Sequence, residues 1–185
     1  MDNKRLDTYS INPNDKREKA LQRAIIAKGK TYIGSSSISV EWLDIELPVR
    51  PDESHRIDLI GKDSTGRFVL CELKFSNGSS INTPSYAENE LIGYWEDIKA
   101  NVKWLTDNGI HHSNGKNFDW AELASSEPRL IVAANASYWV YWLLHRNDQN
   151  PPKRVECCWI DISFDYYLHH DINDKDVDIM HWGKI

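Results

Sequence analysis

Arg56-Ile57-Asp58-Leu59-Ile60-Gly61-Lys62 and Arg67-Phe68-Val69-Leu70-Cys71-Glu72-Leu73-Lys74-Phe75 flank the polar cluster Asp63-Ser64-Thr65-Gly66. Two apolar runs joined by a short cluster of turn residues ending in Gly predict a β-hairpin. Phe68-Val69-Leu70-Cys71 is apolar on both faces, which predicts a central strand covered on both sides. If the turn is centred on Thr65, Asp58 and Glu72 are each seven positions from the centre and therefore oppose one another. Directly opposed residues share a face, with Cβ atoms about 5 Å apart. Glu72 and Lys74 are two apart on one strand and share that face too. Spacing alone thus predicts one patch holding Asp58, Glu72 and Lys74.

Two carboxylates and an ammonium on otherwise apolar strands are costly unless paired or used. Carboxylates this close repel, and a hard divalent cation resolves the repulsion. Mg²⁺ takes one or two carboxylates and keeps several waters. A neighbouring Lys can orient a water and stabilise charge developing on a phosphate. The chemistry that suits the patch is phosphodiester hydrolysis with Mg²⁺ or Mn²⁺. The plain alternative is a cross-strand ion-pair cluster on a solvated face, and the apolar flanks count against it.

Outward from the hairpin, a first helix is expected over about 16–28. Asp15 would be its N-cap, with Glu18 three residues on as in a capping box, and Gly29 its stop. A strand is expected over 37–49. Beyond the loop that ends at Pro84, Ala87, Leu91, Tyr94, Ile98, Val102 and Leu105 follow the spacing of one buried helical face, predicting a long helix over 85–106. Residues 110–127 are polar and read as a surface excursion. Leu130–Ala134 and Val155–Ile162 read as strands, and 138–145 fits a short helix or a strand. The acidic stretch after 163 is expected to be a peripheral tail.

The chain has 185 residues, 41% hydrophobic and 27% charged, which fits one globular domain with its core over about 15–163. Its formal net charge of −6 argues against a general nucleic-acid coat, though not against an enzyme with a local basic groove. No apolar run approaches the roughly 18 residues of a membrane span. Met1–Asp15 is polar, so no signal peptide is expected. Three cysteines, two of them adjacent at Cys157 and Cys158, make no disulfide framework. A reducing cytoplasmic location is expected.

The Asp58 and Glu72-Leu73-Lys74 pattern, set on a hairpin between two helices, resembles the PD-(D/E)XK nuclease superfamily, with Ile57 at the position of the family's Pro. The resemblance spans roughly 15–135. It implies an α/β restriction-endonuclease-like fold with an αβββαβ core, a central mixed sheet flanked by helices. It implies a prokaryotic-type nuclease in which Asp58 and Glu72 bind Mg²⁺ and Lys74 positions the attacking water. Glu18 on the first helix would be an auxiliary metal ligand, and the Leu73 carbonyl would contribute. Some members carry Gln-x3-Tyr on the second helix, where this chain has Glu90 and Tyr94 as possible auxiliary residues. The implied partner is nucleic acid, DNA above all, with a homodimer or a protein partner supplying specificity. The runner-up is a catalytically silent member of that fold which binds a protein or nucleic acid.

Other candidates are weaker. His111-His112, His145, His169-His170-Asp171 and His181 lack the i, i+4 or Cys/His spacing of a zinc site. Cys71 should point away from Glu72 into the core. The basic run Lys16, Arg17, Lys19, Arg23, Lys28 and Lys30 suits a phosphate-binding edge or simply the solvated face of the helix.

Overall fold

The computed structural model describes residues 17–34, 38–76, 82–112, 115–142, 152–160 and 181–185. Along them run α1 (Arg17–Lys28), β1 (Lys30–Ile33), β2 (Ser39–Pro48), β3 (Arg56–Asp63) and β4 (Phe68–Lys74). Then come α2 (Pro84–Asp107), α3 (Trp120–Ser125), β5 (Arg129–Asn135), α4 (Ala136–Val140), β6 (Glu156–Ile160) and β7 (His181–Lys184). Asp15, the expected cap of α1, lies outside the described residues, as do His145, His169, His170 and Asp171.

The hairpin forms about its expected turn. Asp63 Oδ1 accepts from the Thr65 and Arg67 N–H groups at 2.9 and 3.1 Å and from the Thr65 hydroxyl at 2.6 Å. Gly66 takes φ +87°, a conformation that costs glycine no Cβ clash. β3 pairs antiparallel with β4 from Lys62↔Phe68 to Leu59↔Cys71. β2 pairs antiparallel with β3, with a bulge between Trp42 and Asp44. Beside that bulge the Trp42 ring presses on Gly61, where a Cβ would lie 2.8 Å from it. α2 starts on Thr83, whose hydroxyl accepts from the Tyr86 N–H, with Pro84 in its first turn.

The sheet is not the open, helix-flanked one that the restriction-endonuclease-like expectation requires. Its strands close into a seven-stranded barrel in the order β1-β2-β3-β4-β5-β6-β7. β4, β5 and β6 are parallel, β6 and β7 antiparallel, and β7 returns parallel to β1 through Tyr32↔His181 and Ile33↔Trp182. The αβββαβ architecture is therefore corrected to a mixed barrel. The two closing strands have four residues each, too few for a period-2 signal, and one comes from the stretch expected to be peripheral. Strand twist accumulates around a sheet, and pairing the two end strands removes both exposed edges.

Two cores lie on the two faces of the ring. One draws on every strand, with Ile33, Trp42, Leu59, Cys71, Ile131, Cys158 and Trp182, and on Leu21, Ala24 and Ile25 of α1. It fills the barrel, and Trp42 and Trp182 meet there with centroids 5.4 Å apart. The other lies outside the β2–β5 arc, where Ala87, Leu91, Tyr94 and Ile98 of α2 pack on Ile60, Leu70, Val132 and Ala134. The stretch expected to be a surface excursion joins this second core. Trp120 and Leu123 of α3 are buried, and the Trp120 indole donates to the Ile110 carbonyl at 3.0 Å. His112 is buried as well, its ring 2.7 Å from Asp44 Oδ1. His181 stacks on Tyr32 at 5.2 Å. Among the described residues no helix is long and apolar enough to cross a membrane.

Candidate active site

The β3–β4 ladder ends at Leu59↔Cys71, so one further step of the same register sets Asp58 across from Glu72. There the Asp58 side chain takes over the bonding. Its Oδ2 accepts the Leu73 N–H at 2.7 Å. Its Oδ1 accepts Nε2 of Gln22, from α1, at 2.6 Å.

Glu72, on the neighbouring strand, is 4% exposed. Its Oε1 accepts from Lys74 Nζ at 2.5 Å, while its Oε2 is buried with no hydrogen-bond partner. Lys74 Nζ also donates to Glu90 Oε2 on α2 at 3.0 Å. Glu18, in the first turn of α1, accepts the Phe75 N–H just past the end of β4 and sits in the field of Lys74 and Glu90. Tyr94 lies one turn beyond Glu90 on α2 and is buried, its ring edge-on to His55 at 5.6 Å. The structure thus brings together all six residues singled out in the sequence: Asp58, Glu72, Lys74, Glu18, Glu90 and Tyr94.

Four carboxyl groups share one ammonium, and the protonation equilibria record the imbalance. Burial, reinforced by Glu72 and Glu18, holds Asp58 well above the ordinary carboxylate range. Burial pushes Glu72 up to about 7 against the pull of Lys74, with Glu90 and Glu18 adding to the rise. Glu18 is raised for the same first reason. For Lys74, burial alone would lower the value, but Glu72, Asp58 and Glu90 together outweigh it and hold the ammonium charged. Burial and the same carboxylates raise the Tyr94 phenol. Perturbation of this kind, desolvation combined with specific charge partners, gathers at functional sites.

Among the described residues no group of three or more His, Cys, Asp or Glu side chains is placed to hold a metal ion between them. A Mg²⁺ site does not require one, since that ion usually takes one or two carboxylates and fills its octahedron with waters. The donor set fits such an ion: oxygen ligands only, an excess of negative charge, and one buried carboxylate oxygen with nothing bound to it. Asp58 and Glu72 would hold the ion; Glu18, expected as an auxiliary ligand, instead accepts the Phe75 N–H and does not complete a three-residue ligand group.

Gln22 was not anticipated. It is 2% exposed and fixes Asp58 from one turn beyond Glu18. The signal was present, since residues four apart on a helix share a face, but an uncharged amide draws no attention without its partner. Glu90, expected only as a possible auxiliary residue, is half-buried on Lys74. Cys71 points away from Glu72 into the barrel core, as strand alternation predicts.

No family model, no curated protein and no solved structure matches the chain. The closed barrel overturns membership of the PD-(D/E)XK superfamily. Asp-x13-Glu-x-Lys is a short pattern that any two paired strands can carry, and a hairpin between two helices does not fix how a sheet ends. What stays is the local geometry of the acid-lysine cluster, whatever barrel carries it.

Proposed function

We propose that the chain is a divalent-metal-dependent phosphodiester hydrolase acting on nucleic acid, with DNA the expected substrate. The observation that carries this is the buried, unpartnered Oε2 of Glu72 beside Asp58, in a cluster where four carboxyl groups share one ammonium. A bound Mg²⁺ or Mn²⁺ would supply Lewis acidity and lower the pKa of water there. Asp58 and Glu72 hold the ion, and Gln22 and the Leu73 N–H hold Asp58 still. Lys74, tethered between Glu72 and Glu90, orients the attacking water and stabilises charge growing on the phosphate. Three free cysteines suit a reducing, cytoplasmic setting. Sequence specificity would come from a second copy of the chain or a protein partner.

A second reading is a binding module in which Lys74 itself is the cluster's cation. The 2.5 Å bond from Lys74 to Glu72 favours it. Cleavage separates the two. Wild type should cut labelled single-stranded DNA, duplex DNA or RNA with Mg²⁺ or Mn²⁺. Lys74→Ala should lower the rate by about 10²–10³-fold, the usual cost of removing one preorganised charge-stabilising donor, while metal still raises its melting temperature. No cleavage of any of the three substrates by wild type would leave the binding module.

A further inference from the structure

A cleft of about 480 Å³ opens between α2 and the starts of β5 and β6. Val69 pairs with Arg129 at its floor, whereas Lys74 lies five residues further along β4. At about 3.3 Å per residue that is roughly 17 Å from the acid-lysine cluster. The volume falls within the range of small-molecule sites.

In a chain of net charge −6, this cleft is lined by Arg67, Arg129, Lys153 and Arg154 against two carboxylates, Glu127 and Glu156. Arg129 is engaged by Asp63 and Glu156, and Arg154 leans on Asn89 at 2.9 Å and on Glu88 at 3.7 Å. The other two cations have no ion pair among the described residues, and Glu127 is the one lining carboxylate with none either. Arg67 donates to the Glu127 and Pro128 carbonyls at 2.7 and 3.2 Å, which fixes the guanidinium without cancelling its charge. Lys153 has no ion-pair partner among the described residues, although its backbone is held. The N–H groups of Lys153 and Arg154 both donate to Glu88 Oε1, at 2.8 and 2.5 Å, pinning the segment to α2. The half-buried indole of Trp95 lines the same cleft.

We propose that this cleft binds a nucleoside monophosphate, with the phosphate between Arg67 and Lys153 and the base against Trp95. Arg67 and Lys153 each offer a phosphate a charge-assisted hydrogen bond, and such bonds between ionised partners are about twice as strong as neutral ones. An indole offers a stacking surface to any base. The cleft lies apart from the acid-lysine cluster, and the proposal stands whether or not that cluster cuts nucleic acid.

Titration calorimetry of the full chain with AMP, GMP, CMP and UMP tests it, with inorganic phosphate and adenosine as separate arms. At least one nucleotide should bind one-to-one, with phosphate alone and adenosine alone each at least about tenfold weaker. Lys153→Ala and Trp95→Ala should each weaken it by about tenfold or more, the weight of one charge-assisted bond or one stacked ring. Lys153 is exposed, with no ion pair among the described residues, so its variant should melt with wild type. The proposal is overturned if no nucleotide binds at millimolar concentration. It is equally overturned if phosphate alone binds as well as the nucleotides, or if both variants bind like wild type.

Discussion

Lys74 Nζ bonds Oε1 of Glu72 at 2.5 Å, and the other oxygen of that buried carboxylate has no hydrogen-bond partner. The same ammonium also bonds Glu90 Oε2, and Asp58 and Glu18 remain in its field. Breaking a buried pair by removing one partner costs about 3–5 kcal/mol, because a charge is left uncompensated. Lys74→Met should therefore destabilise the metal-free protein by about that amount in urea or thermal melts. A loss under about 1 kcal/mol would mean that the pair is as weak as an exposed one.

The raised pKa of Glu72 makes stability depend on pH with a definite sign. Its folded value of about 7 lies above the ordinary 4.5, so the folded state holds the proton more tightly. Its contribution to stability is full below about 4.5 and is lost as pH rises through about 7. Metal-free wild type in EDTA should lose melting temperature across that window. Glu72→Gln should show a shallower fall, and equal slopes would place the titration elsewhere.

Added metal should reverse the loss. Mg²⁺ or Mn²⁺ at about tenfold its Kd should contribute roughly 1.4 kcal/mol. In a chain of this size that is about 3–6 °C in melting temperature. Glu72→Ala should remove the shift, and an equal shift in both proteins would mean that the ion binds at another place.

Gln22 tests the support of the cluster. Its Nε2 bonds Asp58 Oδ1 at 2.6 Å in a buried position, so Gln22→Ala should cost about 1–3 kcal/mol. Metal affinity should weaken with it, because Asp58 loses one of the two bonds that orient it. Stability loss with unchanged metal affinity would make Gln22 a packing residue.

The barrel closure makes its own prediction. Trp182 is 1% exposed in the core of the ring, and truncating a buried Trp to Ala costs about 3–5 kcal/mol. Trp182→Ala should cost that much, and hydrogen exchange should speed up in β1 as well as β7. Protection of β1 that is unaffected would mean that the two strands do not depend on each other.

What the sequence made legible was local. The hairpin, its turn and the opposition of Asp58 to Glu72 follow from period-2 alternation and a symmetric count about Thr65, and α2 follows from a long apolar stripe. The closure was not legible, because Tyr32↔His181 and Ile33↔Trp182 join segments about 150 residues apart through strands too short to show a pattern. The burial of Trp120, Leu123 and His112 was hidden for a different reason. Their polar neighbours lower the mean hydropathy of 110–127, while these side chains are buried one by one among them. Within the cluster the charged residues stood out and Gln22 did not, because its role exists only in relation to Asp58.

Anomalous diffraction from a crystal soaked in Mn²⁺ tests the central claim most directly. The account predicts one manganese peak between Asp58 and Glu72, within about 2.0–2.3 Å of Glu72 Oε2, its remaining positions filled by water. Lys74 should stay beside it. An empty cluster at saturating Mn²⁺, with Lys74 still bound to both Glu72 and Glu90, would contradict it.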